Sequence, residues 1–579
     1  MSRSAFKCVL SIAVIFMVFA ASPGAMATPL DDYVAAPDGA YTWNLLNTYP
    51  HAGYTDYVFH MASQNWLTLA EVDRTLWEHY MVITVPDVVS HETGILYISS
   101  GNSSNAEPTS NDSMLVQMAL DTQTVTAWLR QVPNQPLTFA GDPFGPRSED
   151  EQIAYCWRKF LDTGESKWLS RLPMTKSAVR ALDTVTAFMG SATGGARTVD
   201  KFVVTGASKR GWTTWTTAAV DSRVVAFAPM VIDLLNMQVS FRHHFDALGF
   251  WSPQIVDYTN EGITEEFTSP EMKALTDIVE PYSYLDRYVN KPKFVMNGSQ
   301  DEFFLPDSSQ FYWERLTGEK RLRYVPNAGH GLNAGAISDL RAWYWSIIND
   351  VPRPDVTWTK MHDGSLEIHV SGGTPSQVLL WETATVSERS FSLEFQPPLY
   401  TSSVLAPSGT DTYTASVAAP PSGWKAFLVE FTFPSGGPTP FRFTTEISIV
   451  PDVLPYGPRY ALGAETEMLD AAFYEGEASD GSNVAGRMAF IGTPSNDATR
   501  AVFWGVNAAT QHSAFFVADI GDPSSWRRIM TDYPTQPHAR ACWVPDDSAI
   551  LVGPYRIAIP APGQLSGLET IINHGYNYN

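Results

Sequence analysis

Cysteine is nearly absent, with three residues in a chain of 579. Cys8 lies in an N-terminal apolar run, which leaves Cys156 and Cys542. No Cys/His cluster has the spacing of a zinc site, which argues against a structural metal module. In an oxidising compartment Cys156 and Cys542 either pair or stand as two buried thiols, and both readings stay open. Basic residues are scarce too: 38 Lys and Arg face 61 Asp and Glu, a formal charge of −23. A chain this acidic repels phosphate backbones, so nucleic acid is not an expected partner. Beyond the first residues no apolar run is long enough to suggest a membrane span in the mature chain. No strong internal repeat is present, which argues against a solenoid.

What is there begins with a leader. Arg3 and Lys7 precede an apolar run from Cys8 to Ala21, and Ala25-Met26-Ala27 is a small-residue cleavage signal. Residues 1–27 therefore read as a secretory signal peptide, and the mature protein is expected to be secreted. The length calls for two or three domains.

The central stretch is Lys201 to Gly211. A β-branched run, Val203-Val204-Thr205, enters the turn Gly206-Ala207-Ser208-Lys209-Arg210-Gly211 and leaves through a helix-compatible segment. Strand, sharp turn and helix form the context of a nucleophile elbow, here as G-x-S-x-x-G, one residue longer than G-x-S-x-G. Upstream, strand-like pieces at Tyr54–Met61, Asn65–Ala70 and Tyr80–Val85 suggest an antiparallel start to a larger sheet. Gly94 to Ile98 is an apolar strand running into Ser99-Ser100-Gly101-Asn102. Helices are expected over 110–121, 148–161 and 172–189, and further strands over 124–130, 226–232, 293–298 and 322–326. This alternation predicts a mostly parallel sheet flanked by helices. Residues 236–290 interrupt the rhythm with His243-His244 and many aromatics, and read as an insertion walling a site.

Pro352-Arg353-Pro354 marks a boundary. Beyond it, strands at 366–370, 377–381, 425–433 and 441–450 predict a β-sandwich of about 100 residues. A breaker at Pro451–Pro458 leads into a β-rich extension. The predicted organisation is a leader (1–27), an α/β-hydrolase domain (28–352), an Ig-like β-sandwich (353–455) and a C-terminal extension (456–579).

Ser208, Asp301 and His330 occur in the α/β-hydrolase order of nucleophile, acid and base, each just past a strand. A serine hydroxyl is a weak nucleophile unless a histidine takes its proton and a carboxylate fixes the imidazole tautomer. Asp233 also ends a strand and is the alternative acid. An oxyanion hole needs two backbone N–H groups, expected from Lys209 and from the Gly101–Asn102 loop. Arg210 is the candidate contact for a substrate anion. This chemistry calls for no metal or organic cofactor.

The segments VTGASKRGWTTW, VEPYSYLDR with PKFVMNGSQDEFFLPDSSQFYWERL and RYVPNAGH, and GWKAFLVEFTF with FRFTTEISIVPDVLP resemble the PhoPQ-activated pathogenicity-related protein family, which includes a secreted autocrine proliferation repressor of social amoebae. The resemblance spans roughly residues 30–455. It implies a hydrolase domain followed by a β-sandwich, with nucleophile, acid and base falling on Ser208, Asp301 and His330. The turn also resembles that of glucuronoyl esterases, which implies carbohydrate esters as one substrate class. The expected function is a secreted serine hydrolase, esterase or peptidase, acting on a small-molecule ester or peptide. The alternative is an extracellular signalling protein on the same scaffold, with a cell-surface receptor as partner.

Overall fold

The computed structural model describes residues 27–456 apart from 387 and 396–398, and beyond them strand segments between 488 and 570. The predicted leader, apart from its last residue, lies outside the described residues.

A nine-stranded sheet organises the hydrolase region. In chain order its strands are β1 (Thr42–His51), β2 (Tyr54–Asn65), β3 (Leu76–Pro86), β4 (Thr93–Ile98), β5 (Thr126–Leu129), β6 (Lys201–Ala207), β7 (Val224–Met230), β8 (Lys293–Gly298) and β9 (Lys320–Val325). Their spatial order is β1-β2-β3-β5-β4-β6-β7-β8-β9. The first three are antiparallel, β5 is antiparallel to β3, and β4 to β9 run parallel with β5. The parallel strands are buried along most of their length, as strands covered on both faces must be. This arrangement is an α/β-hydrolase fold.

Helices α1 (Pro29–Ala35), α2 (Ser113–Thr122), α3 (Glu149–Thr163), α4 (Arg171–Gly190), α5 (Lys209–Val220), α6 (Met237–Leu248), α7 (Val256–Asn260), α8 (Pro270–Val279) and α9 (Ala334–Ile348) cover it. Two large core clusters lie among the described residues. One gathers Trp66, Trp77, Trp157 and Trp215 with α4 and α5. The other gathers α2 and α9. The N-terminal strands depart from expectation. Strand β1 is exposed along nearly its whole length, so it lacks the alternation that would have marked it. Residues 65–70 were expected as a strand, but β2 ends at Asn65 and residues 66–70 form a turn, with Leu67 at φ 59° and Thr68 O accepting from Glu71 and Val72.

The β-sandwich comprises β10 (Asp355–Lys360), β11 (Leu366–Ser371), β12 (Gln377–Thr385), β13 (Thr401–Val404), β14 (Thr412–Ala415), β15 (Trp424–Phe433), β16 (Phe441–Thr444) and β17 (Ser448–Val450). One sheet is β10-β11-β14 and the other β13-β12-β15-β16, with β17 also on β15. Their inner faces, Leu366, Ile368 and Val370 against Phe427, Val429 and Phe431, share the core of α2 and α9. The Pro352–Pro354 segment is pinned: Arg353 pairs with Glu319 at 2.5 Å, and Arg321 donates to the Arg353 and Pro354 carbonyls. At the open edge of the main sheet, Tyr324 N–H donates to Thr444 Oγ1 at 2.9 Å, so the sandwich caps β9. The expected strand 441–450 is split there. Thr445 exchanges two hydrogen bonds with Val429, one through its side chain, and shifts the register between β16 and β17. Beyond 456 the described strands form two antiparallel groups of four.

Candidate active site

Strand β4 connects through α2 to β5 on one side of the sheet, whereas β6 connects through α5 to β7 on the other. The carboxyl ends of β4 and β6 therefore flank the point where the strand order reverses, where open α/β sheets bind ligands. Ser208 follows β6 and Gly101 follows β4.

Ser208 sits at φ 57° and ψ −125°, a region that costs a non-glycine residue roughly 1–3 kcal/mol. The surroundings enforce it. A Cβ at Gly206 would lie 2.8 Å from Arg210 O, and one at Gly211 2.7 Å from Met230 O. Both glycines thus let α5 turn back tightly over β6. Ser208 N–H donates to Met230 O at 2.9 Å, and Trp212 N–H to Ser208 O at 3.0 Å.

His330 stands in the loop after β9. Its Nδ1 lies 3.0 and 2.9 Å from the two carboxylate oxygens of Asp301. Because that carboxylate accepts, Nδ1 carries the proton and Nε2 is left as the basic nitrogen. Nε2 is buried and makes no hydrogen bond in this conformation, to Ser208 Oγ or to anything else. Asp301 is fixed in turn by the N–H groups of Phe303 at 2.8 Å and Phe304 at 3.4 Å. The rings of Phe303 and Phe304 lie 4.2 and 6.0 Å from the imidazole. They line both the recess that holds Ser208 and the cleft that holds Asp301.

Asp233 is placed elsewhere. Its carboxyl is 2 % exposed and accepts from the hydroxyls of Tyr312, at 2.6 Å, and Tyr324. Burial, reinforced by nearby Asp301 and Asp307, pushes its pKa up to about 7. His330 thus pairs with Asp301, and the alternative acid is bound by two tyrosines.

The expected oxyanion donors separate. Lys209 opens α5, so its N–H has no intrahelical acceptor. Asn102 N–H is already committed to Asn105 Oδ1 at 2.8 Å. Gly101, at φ 142°, holds a position where a Cβ would meet Asn105 Oδ1 at 2.7 Å. Among the described residues its N–H meets no acceptor.

Arg210 corrects an expectation. Its Nε donates to Val132 O and its Nη2 to Glu149 Oε1, each at 2.5 Å. Although burial opposes it, Glu149 is held at about 2, chiefly by the Arg210 guanidinium. Arg210 therefore ties α3 and the loop after β5 to the serine helix, and its charge is spent inside the protein. His243 and His244 are buried in the insertion, and His243 Nε2 meets Asp307 at 2.9 Å. Cys156 is a free, buried thiol, and the side chain of Cys542 lies outside the described residues.

Sequence reasoning missed two groups. Glu302 Oε2 accepts the backbone N–H of His330 at 2.7 Å. Arg171 lines the recess at Ser208. Glu302 directly follows Asp301, so its position was a weak signal; Arg171 gave none. Among the described residues no cluster of His, Cys, Asp and Glu is arranged to hold a metal ion, and no helix is long and apolar enough to cross a membrane.

The family model for PhoPQ-activated pathogenicity-related protein matches residues 30–392. The chain belongs to this family. Within it, the chain is 38% identical over 460 residues to autocrine proliferation repressor protein A of Dictyostelium discoideum, covering 74% of this chain and 92% of that protein. Among solved structures, an acetyl xylan esterase from Paenibacillus sp. R4 is 15% identical, covering 54% of this chain and 90% of that one, with a TM-score of 0.36. A glucuronoyl esterase from Solibacter usitatus is 12% identical over 54% of this chain and 90% of that one, with a TM-score of 0.33. In this PhoPQ-related chain the matched segment takes in Ser208, Asp301 and His330.

Proposed function

We propose that the protein is a secreted serine hydrolase that cleaves an ester or amide bond. One observation carries the reading: a half-buried imidazole, oriented by Asp301 through Nδ1 and left with a buried, unpartnered Nε2, on the sheet edge that carries a serine in a strained turn. Ser208 Oγ attacks the carbonyl carbon as His330 Nε2 takes its proton. Asp301 stabilises the imidazolium that forms. The negative oxygen of the tetrahedral intermediate is met by the Lys209 N–H and by the free N–H of Gly101. His330 then returns the proton to the leaving alcohol or amine, and a water molecule releases the acyl group by the same path.

A fluorophosphonate probe tests this. The mature protein should be labelled and Ser208→Ala should not. Equal labelling of both, or none of either, speaks against an activated serine.

The second reading is an extracellular signal that acts on a cell-surface receptor. It rests on the name of the Dictyostelium relative, matched over most of its length. A Ser208→Ala protein that still restrained cell proliferation would favour it over the hydrolase.

A further inference from the structure

The recess at Ser208 has apolar walls, among them Trp157, Trp212 and Phe241, and is also lined by two buried cations, Arg171 and Lys209, and by Asp150. Arg171 is 3 % exposed. Its guanidinium lies 4.4 Å from the ring centroid of Trp212, and its Nη1 donates to the Lys209 carbonyl at 3.0 Å. Its Nε has no hydrogen-bond partner.

The acids around it are committed elsewhere. Asp150 receives Lys209 Nζ at 2.5 Å and the Tyr258 hydroxyl at 3.0 Å. Glu149 takes Arg210 at 2.5 Å and Lys209 at 3.3 Å. Three cations, Arg171, Lys209 and Arg210, thus share two carboxylates, and neither carboxylate is paired with Arg171. Asp257 and Glu151 lie near Asp150, and burial raises the Asp257 pKa to about 6. Burial pulls the Arg171 pKa down, opposed by Tyr258 and Asp150, and a guanidinium buried without a salt bridge is costly unless an anion meets it.

We propose that Arg171 is the specificity residue of this recess and takes the carboxylate end of a ligand whose body is aromatic or branched and apolar. On the hydrolase reading, that ligand is the substrate's acyl or leaving group, with its scissile carbonyl at Ser208. The recess opens to solvent, so a ligand can enter it from outside. The aromatic walls hold the body, and the guanidinium fork matches a carboxylate.

The test is direct binding, measured calorimetrically on the mature protein with 3-phenylpropionate and its neutral amide. The carboxylate should bind roughly tenfold more tightly than the amide, the worth of one buried charge-assisted hydrogen bond. Arg171→Met, shown to be folded by circular dichroism, should lose that preference. Equal binding of the two probes, binding of neither, or a preference that survives in folded Arg171→Met overturns the proposal. The wild-type comparison stands even if the variant does not fold. Fluorophosphonate labelling in parallel separates the two ideas. Labelling without a carboxylate preference sinks Arg171 and leaves the hydrolase. A preference without labelling leaves Arg171 as a ligand site and sinks the hydrolase.

Discussion

Glu302 Oε2 accepts the backbone N–H of His330 at 2.7 Å, so the residue beside Asp301 holds the loop that carries the imidazole. The fit is close: a Cβ at Gly329 would stand 2.5 Å from Glu302 Oε1. Asp301 orients the ring and Glu302 anchors its backbone.

Glu302 is therefore expected to be a positioning residue. Glu302→Ala should slow fluorophosphonate labelling roughly tenfold, the equivalent of one lost charged hydrogen bond. Glu302→Gln, which keeps an acceptor, should recover most of that rate. Equal slowing in both variants, in step with a fall in melting temperature, would mean that the role is structural only.

Ser208 and Gly211 should respond in opposite senses. Ser208→Gly relieves the strained backbone and should raise stability by roughly 1 kcal/mol while abolishing labelling. Gly211→Ala forces a methyl against Met230 O and should cost roughly 1–3 kcal/mol. Urea denaturation of the two variants checks both signs. A Gly211→Ala protein as stable as wild type would show that the elbow is looser than its contacts indicate.

Asp233 predicts a pH dependence. Its pKa is raised from the ordinary carboxylate value to about 7 by burial. Between pH 4 and 7 the unfolded chain has lost this proton and the folded chain keeps it, so stability falls as pH rises through that window and levels off above it. Replacement by Asn should remove this component, at most about 1.4 kcal/mol per pH unit. Asp233→Asn should also label normally, whereas Asp301→Asn should not. The reverse result would transfer the acid's role to Asp233.

Cys156 should be inert in the native protein. Burial pushes its thiol pKa well up, and thiolate is the reactive form. Iodoacetamide should modify it after denaturation and not before. A peptide linking Cys156 to Cys542 in a non-reducing digest would contradict the free thiol.

Much of the scaffold was legible because each parallel strand is a short run carrying aliphatic, aromatic or β-branched residues that ends in a turn. That pattern located β4, β6, β7, β8 and β9, and with them Ser208, Asp301 and His330. Strand β1 was invisible because it is exposed on both faces and needs no alternation. The break between β16 and β17 was invisible for a different reason. The sequence alternates straight through it, and the break lies where the sandwich meets the main sheet through Thr444 and Thr445. Arg210 looked free for a substrate because nothing local shows that Glu149, far away in the chain, turns back to neutralise it.

By itself, the chain determined the order of its elements, its acidity and which residue types stand at the strand ends, since these follow from local propensity and composition. Only tertiary structure decided which carboxylate His330 meets, which charges are spent internally and which cations line the recess. Asp233 and Asp301 both end strands, and two tyrosines brought in from β9 and the segment before it claim the first. Long-range packing makes that choice, because a buried carboxylate takes whatever donors the fold places around it.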